Sequence, residues 1–117
     1  MVTKTPPTVA IGEIWCVSLD DTEGHEQHGT RPALVIAIHQ QTNLIMTIPF
    51  TGSINALRFP YSHKITPSNT NGLTQDSAAL VFQTRCLSLD RFQYKMGDLE
   101  QTHFDTLKRL LEHYCDL

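Results

Sequence analysis

Glu13-Ile14-Trp15-Cys16-Val17-Ser18-Leu19 and Pro32-Ala33-Leu34-Val35-Ile36-Ala37-Ile38 decide the architecture. In the first stretch Trp15, Val17 and Leu19 alternate on one side, and Ile14 and Cys16 make the other side apolar too. A strand that is apolar on both sides belongs inside a sheet, not at its edge. The second stretch is a β-branched run and predicts a strand over 32–38. Leu44-Ile45-Met46-Thr47-Ile48-Pro49-Phe50 reads as a third strand, following a turn at 40–43. A loop over 51–57 leads to a weaker strand around 58–65. Pro67-Ser68-Asn69-Thr70-Asn71-Gly72 is turn chemistry. Residues 78–83 predict another strand, and 85–87 extend it past a bend. From Leu99 the period changes. Phe104, Leu107, Leu110, Leu111 and Tyr114 recur at three and four, as on one face of an amphipathic helix. Asp98, with Gln101 three residues later, suits a capped start. Glu100, His103, Lys108 and Glu112 read as that helix's solvated face. Short strands followed by one terminal helix predict a mainly β fold: a small, strongly bent sheet or barrel with the helix packed on it.

The 117 residues suit one domain, expected over 1–117, with the Pro- and Thr-rich residues 1–11 as a frayed lead. A composition 40% hydrophobic and 18% charged is that of a globular chain. The longest apolar run, 33–38, falls far short of the roughly twenty residues that span a bilayer. Met1-Val2-Thr3-Lys4-Thr5-Pro6-Pro7 has no apolar core of a secretory signal. Cys16, Cys86 and Cys115 make neither a disulfide framework nor a zinc motif. With the missing signal, this points to a reducing cytoplasm. Cys16, inside a strand pattern, reads as a small buried hydrophobe. A net charge of −3 argues against binding nucleic acid by bulk charge alone.

The densest polar segment is Asp20-Asp21-Thr22-Glu23-Gly24-His25-Glu26-Gln27-His28-Gly29-Thr30-Arg31, between the two deciding strands. Loops between rigid strands are where working residues tend to sit. Four readings compete. A metal site could use His25 and His28 with Asp20 or Glu26. However, His25-Glu26-Gln27-His28 is one residue short of HExxH, and two glycines oppose a helix. A Ser/His/Asp or Cys/His nucleophile has no GxSxG elbow to support it. Cleavage of RNA without metal needs a base, an acid for the leaving 5′-oxygen and a cation for charge growing on phosphorus. Arg31 suits the cation, His25 can carry protons near neutrality, and Thr51 offers a hydroxyl at a strand end. The fourth reading makes Arg31 a structural ion-pair partner of Asp20 or Glu26. No Walker or dinucleotide glycine pattern is present.

The wording itself separates these readings. Gly12-Glu13-Ile14-Trp15-Cys16-Val17-Ser18-Leu19-Asp20, then Gly24-His25-Glu26-Gln27-His28-Gly29-Thr30-Arg31-Pro32, closely resembles the opening of the PemK/MazF/Kid family, the toxins of type II toxin–antitoxin systems. Pro49-Phe50-Thr51 resembles the family strand that ends in a loop threonine. Gln83-Thr84-Arg85-Cys86-Leu87-Ser88-Leu89-Asp90-Arg91-Phe92, with Met96-Gly97-Asp98-Leu99, resembles the segment before the last helix. The resemblance covers about residues 11–115. It implies an SH3-like β-barrel of the PemK/MazF/CcdB type, working as a homodimer. It also implies a sequence-specific, metal-independent endoribonuclease of single-stranded RNA, needing no cofactor and neutralised by a cognate antitoxin laid over its RNA groove. By motif, Arg31 matches the catalytic arginine, Thr51 the catalytic threonine and His25 a histidine of the Kid branch. Gln27 stands beside them. Leu80 and Phe82 stand where the Kid branch has an arginine and an aspartate, so the arginine–threonine form of the mechanism is expected.

Single-stranded RNA needs a local positive groove and stacking surfaces more than a positive total. The groove candidates are Arg31, Arg58, His63, Lys64 and Arg85, with Phe59 and Tyr61 as stacking groups whose alternative is barrel core. Gly52, Ser53 and Gln83 complete the expected RNA-binding set. Against the ribonuclease stands a non-catalytic relative that keeps the fold and the antitoxin or RNA groove. A toxin of the same fold aimed at gyrase is opposed by Gly29-Thr30-Arg31-Pro32.

Overall fold

Among the described residues, apolar runs punctuated by turn residues become seven antiparallel strands and one α-helix. The computed structural model describes residues 8–19 and 29–117. The strands are β1 (Glu13–Ser18), β2 (Thr30–His39), β3 (Leu44–Thr51), β4 (Ser62–Ile65), β5 (Ser77–Leu80), β6 (Arg85–Ser88) and β7 (Phe92–Asp98), followed by α1 (Gln101–Tyr114). Short 3-10 turns occupy Ile54–Arg58, Val81–Gln83 and Leu89–Arg91. The sheet order is β4-β5-β3-β2-β1-β7, and β6 also pairs with β3. β1 therefore lies between two strands, which is why both of its sides are apolar. β3 is the hinge of the design. One edge pairs with β2; the other holds β6 along Leu44–Thr47 and then β5 at Phe50 and Thr51. Dividing one edge between two strands bends the sheet into the barrel-like form expected from the pattern.

The two faces of the sheet carry separate cores. Ile14, Leu34, Ile48, Phe50, Ile65, Ala79 and Val81 pack beneath α1 with Leu107, flanked by Phe104, Leu110 and Leu111. Trp15, Val17, Ala33, Val35, Ile45, Leu87 and Phe92 pack on the opposite face. Trp15 meets Phe92 edge-on and donates its indole N–H to Glu13 Oε1 at 2.9 Å. Cys16 is buried. Val9 packs against the second core, Ala10 N–H donates to Glu13 Oε1 and Gly12 N–H to the Val35 carbonyl.

Five local expectations need correction. The strand expected over 58–65 starts only at Ser62, because Arg58 closes a 3-10 turn and Tyr61 takes a positive φ of 62°. The strand expected over 78–83 stops at Leu80, and Val81–Gln83 coil into a 3-10 turn before β6. β7 was not expected. Irregularities in its pairing with β1, between Ile14 and Trp15 and between Cys16 and Val17, break the two-residue alternation that marks a strand. The helix begins at Gln101 with Glu100 as its N-cap and no side-chain cap, while Asp98 belongs to β7. Glu100 and His103 also leave the solvated face assigned to them. Glu100 accepts from Ser68 Oγ and Asn71 Nδ2, and His103 contacts His63.

The loop after β4 closes against β7. Asn71 is fully buried; its side-chain oxygen accepts from Ser68 and Leu73 N–H, and its amide donates to the Thr66 carbonyl. Gly72 has φ +71°, and a β-carbon there would strike the Met96 carbonyl. Only glycine allows backbone to meet backbone at this point.

Candidate nucleic-acid interface

Arg31 is the second residue of β2 and pairs with Val17 of β1. Thr51 ends β3 and pairs with Ala78 of β5. The last recorded β2–β3 pair is Ala33 with Pro49. Two residues further along each strand lie Arg31 and Thr51, so the pleat turns both to the same face. They stand on neighbouring strands just beyond the last β2–β3 pair, where β3 is paired with β5 along its other edge. The row continues across the sheet, since Ala78 pairs with Thr51 on one side and with Lys64 of β4 on the other. Thr51 and Lys64 thus share one face and one row, and the β2–β3 register carried two residues past its last pair brings Arg31 to the same face beside Thr51. Among the described residues no carboxylate pairs with Arg31. Asp20 and Glu26, which an ion-pair role for Arg31 would require, lie outside them.

Thr51 is held for donation. Ser53 N–H donates to Thr51 Oγ1 at 3.2 Å, which occupies a lone pair and leaves the hydroxyl hydrogen for another acceptor. Gly52 and Ser53 are exposed beside it. Arg58 ends the following 3-10 turn, with its guanidinium 4.9 Å from the centre of the Phe59 ring. Phe59 is 45% exposed and meets Phe82 edge-to-face at 5.9 Å. Phe82 therefore backs an exposed aromatic at the position where the Kid branch is charged, and Leu80 is buried. Gln83 and Arg85 are both exposed. Arg85 pairs with Thr47, whose hydroxyl donates to the Arg85 carbonyl at 3.0 Å. That register places Arg85 on the Thr51 face, about 13 Å along β3.

Tyr61 lies elsewhere. Its ring meets Tyr114 at 4.9 Å, and its hydroxyl is 3.0 Å from His113 Nδ1, beneath α1 on the other face. His63 also faces α1. Its Nε2 is 3.0 Å from His103 Nδ1, and burial followed by the charge of His103 pushes its pKa below 6.5. His25 and Gln27 lie outside the described residues. The ends of their loop are joined, because Ser18 pairs with Thr30 and Leu19 N–H donates to the Gly29 carbonyl at 3.2 Å. Among the described residues, no three His, Cys, Asp or Glu side chains are grouped to hold a metal.

Sequence reading missed Gln75. Its side chain lies over Gly52, where a β-carbon would collide with the amide nitrogen. Asp76, next to it, pairs with Lys64 at 3.6 Å. The surrounding Asn, Thr and Gly residues signal only a turn, and the proximity to Gly52 arises from pairing across strands.

Residues 10–115 match the family model of the PemK-like, MazF-like toxin of type II toxin–antitoxin systems. Endoribonuclease PemK of Escherichia coli is 50% identical over 50 residues, which cover 40% of this chain and 38% of that protein. The match thus spans well under half of that relative's length. MazF of Deinococcus radiodurans superposes with a TM-score of 0.74 at 20% identity, covering 97% of this chain and 100% of that one. A chain of the MazE–MazF structure from the same organism gives 0.73 at 21% identity, covering 97% and 99%. A mycobacterial endoribonuclease in complex with its cognate antitoxin gives 0.72 at 16% identity, covering 94% and 97%. At these identities the structural likeness is one of fold, and the family match over residues 10–115 carries the assignment: the chain belongs to the PemK-like, MazF-like toxins of type II toxin–antitoxin systems.

Proposed function

We propose that this chain is a sequence-specific endoribonuclease of single-stranded RNA that cuts without a metal ion. The observation that carries the reading is the Ala33–Pro49 register, which two residues further on sets Arg31 and Thr51 on one face of neighbouring strands. The RNA supplies the nucleophile. Its 2′-oxygen attacks the adjacent phosphorus, the bond to the 5′-oxygen breaks, and the products are a 2′,3′-cyclic phosphate (or 3′-phosphate) and a 5′-hydroxyl. Arg31 stabilises the charge that develops on the phosphoryl oxygens with a fork of N–H donors. Guanidinium stays protonated near neutrality, so it is a poor base. Thr51 donates its hydroxyl hydrogen to the same phosphate; His25 or a water takes the proton that leaves the 2′-oxygen and returns one to the departing 5′-oxygen, and addition of water to the cyclic ester gives the 3′-phosphate. Arg58, Phe59, Gln83, Arg85, Gly52 and Ser53 line the path of the strand, and the family wording adds Gln27 to the RNA-binding set. Phe59, propped by Phe82, supplies the stacking face. Tyr61 contributes by fixing α1.

Neutralisation by a cognate antitoxin, action as a homodimer and a cytoplasmic location complete the proposal. Support for the dimer comes from a groove of about 640 Å³ on the helix side, lined by Ile36, Met46, Phe82, Leu111 and Tyr114 among others. A second copy would cover its apolar walls.

The test is cleavage of a long unstructured RNA in excess EDTA, beside Arg31→Ala, with the new ends mapped. Cuts at a short recurring sequence with 5′-hydroxyl ends, lost in Arg31→Ala, are expected. No cutting by the wild-type chain would leave the non-catalytic binding module as the better reading. Cutting by Arg31→Ala would remove Arg31 from the mechanism.

A further inference from the structure

The row through Thr51 does not end at the proposed scissile position. It passes Ala78, whose side chain is small and buried, and reaches Lys64 two strands from Thr51, about 10 Å away. Gln75, just before β5, folds its side chain back over Gly52. This arrangement needs glycine at position 52, since any larger residue would evict the amide. Gln75 and Lys64 are both exposed, and Lys64 is held by Asp76 at 3.6 Å. An amide beside the proposed catalytic threonine and an ammonium beyond it match the two halves of one nucleotide.

We infer that Gln75 and Lys64 form a nucleotide subsite on the far side of Thr51 from Arg31, reading the base and holding the phosphate of a residue that flanks the cut. The inference rests on the ribonuclease reading above. A primary amide presents a donor and an acceptor side by side, which suits an unstacked base edge offering the complementary pair, as adenine does. Lys64 exchanges Asp76 for a phosphate when the strand enters. The carboxylate holds the ammonium in place at rest and competes with phosphate for it.

The experiment maps cleavage of a randomised RNA pool by the full-length wild type, Gln75→Ala, Gln75→Glu and Lys64→Ala, with binding of a non-cleavable 2′-deoxy analogue measured against salt. The wild type should prefer one base at a position flanking the cut. Gln75→Ala should lower that preference by about tenfold at this position alone. Gln75→Glu, which keeps the shape but loses the donor, should move the preference toward guanine, whose edge offers two adjacent donors. Lys64→Ala should reduce the salt slope by about 1. Both Gln75 variants retaining the wild-type preference at every position would overturn the subsite. An unchanged salt slope in Lys64→Ala would overturn its phosphate half. A wild-type chain that cuts nothing would overturn the ribonuclease reading itself, and the subsite with it, which is a different result from unaltered specificity.

Discussion

At Thr51 a single hydroxyl hydrogen decides between a catalytic and a structural residue. Oγ1 already accepts from Ser53 N–H through one lone pair, and its hydrogen remains available to donate. Thr51→Val keeps the β-branched shape that suits the end of β3 and removes that donor. Hydrogen bonds to charged groups contribute about 1.5–3 kcal/mol, so single-turnover cleavage should slow about ten- to a hundredfold. The thermal midpoint should barely move, because Ser53 N–H is exposed and can turn to water. Undiminished cleavage by Thr51→Val would reduce this hydroxyl to a turn-former. Arg31 and Thr51 stood out in the sequence because a strand-end hydroxyl and a loop-end cation sit in long, specific wording, and their part in cleavage is the proposal these variants test. Gln75 did not stand out, because its meaning depends on the missing β-carbon of a glycine more than twenty positions earlier in the chain.

At the scale of elements, the docking of α1 on β4 runs through His63 and His103. With Nε2 and Nδ1 3.0 Å apart, one nitrogen must donate and the other accept, so the contact tolerates one proton between them and not two. Burial, reinforced by His103, holds the His63 pKa below 6.5, while Glu100 on the same helix end is held low first by Ser68 and lies within electrostatic reach of His103. A histidine depressed in the folded state binds fewer protons there than when unfolded. Its contribution to stability is therefore whole above about pH 6.5 and is lost as the pH falls toward the folded value. Thermal unfolding should show a falling limb below pH 6.5, shallower in His63→Gln; an identical limb in that variant would place the pH dependence elsewhere. Strong periodicity made β1, β2, β3 and the helix legible. β7 was hidden by slips in its register, and the true helix start by an N-cap whose carboxylate serves the neighbouring loop instead of the helix.

For the molecule as a whole, the two sheet faces divide the labour. The face bearing Arg31, Thr51, Lys64 and Arg85 is polar and cationic at its rim, whereas the helix side leaves Leu44 40% and Met46 36% exposed. Apolar side chains beside a groove of this size favour self-association. Sedimentation should give twice the mass of one chain, and Met46→Asp should shift the equilibrium toward monomer. A wild-type monomer at micromolar concentration would contradict the dimer. The net charge of −3 argues only against binding by bulk charge, and the RNA proposal rests instead on the position of cations on one face. One further property follows from the backbone contact at Gly72. β7 is an outer strand, and outer strands invite pairing with other chains. The Thr70 carbonyl accepts Asp98 N–H at 2.8 Å, and Lys95 is shared between Glu13 and Asp98. The end of the strand is thus already occupied, and its middle carries a charge. The connecting loop thus doubles as a cover for one end of an outer strand, and a bulkier residue at position 72, by pushing the loop off the Met96 carbonyl, should leave that end open to another chain.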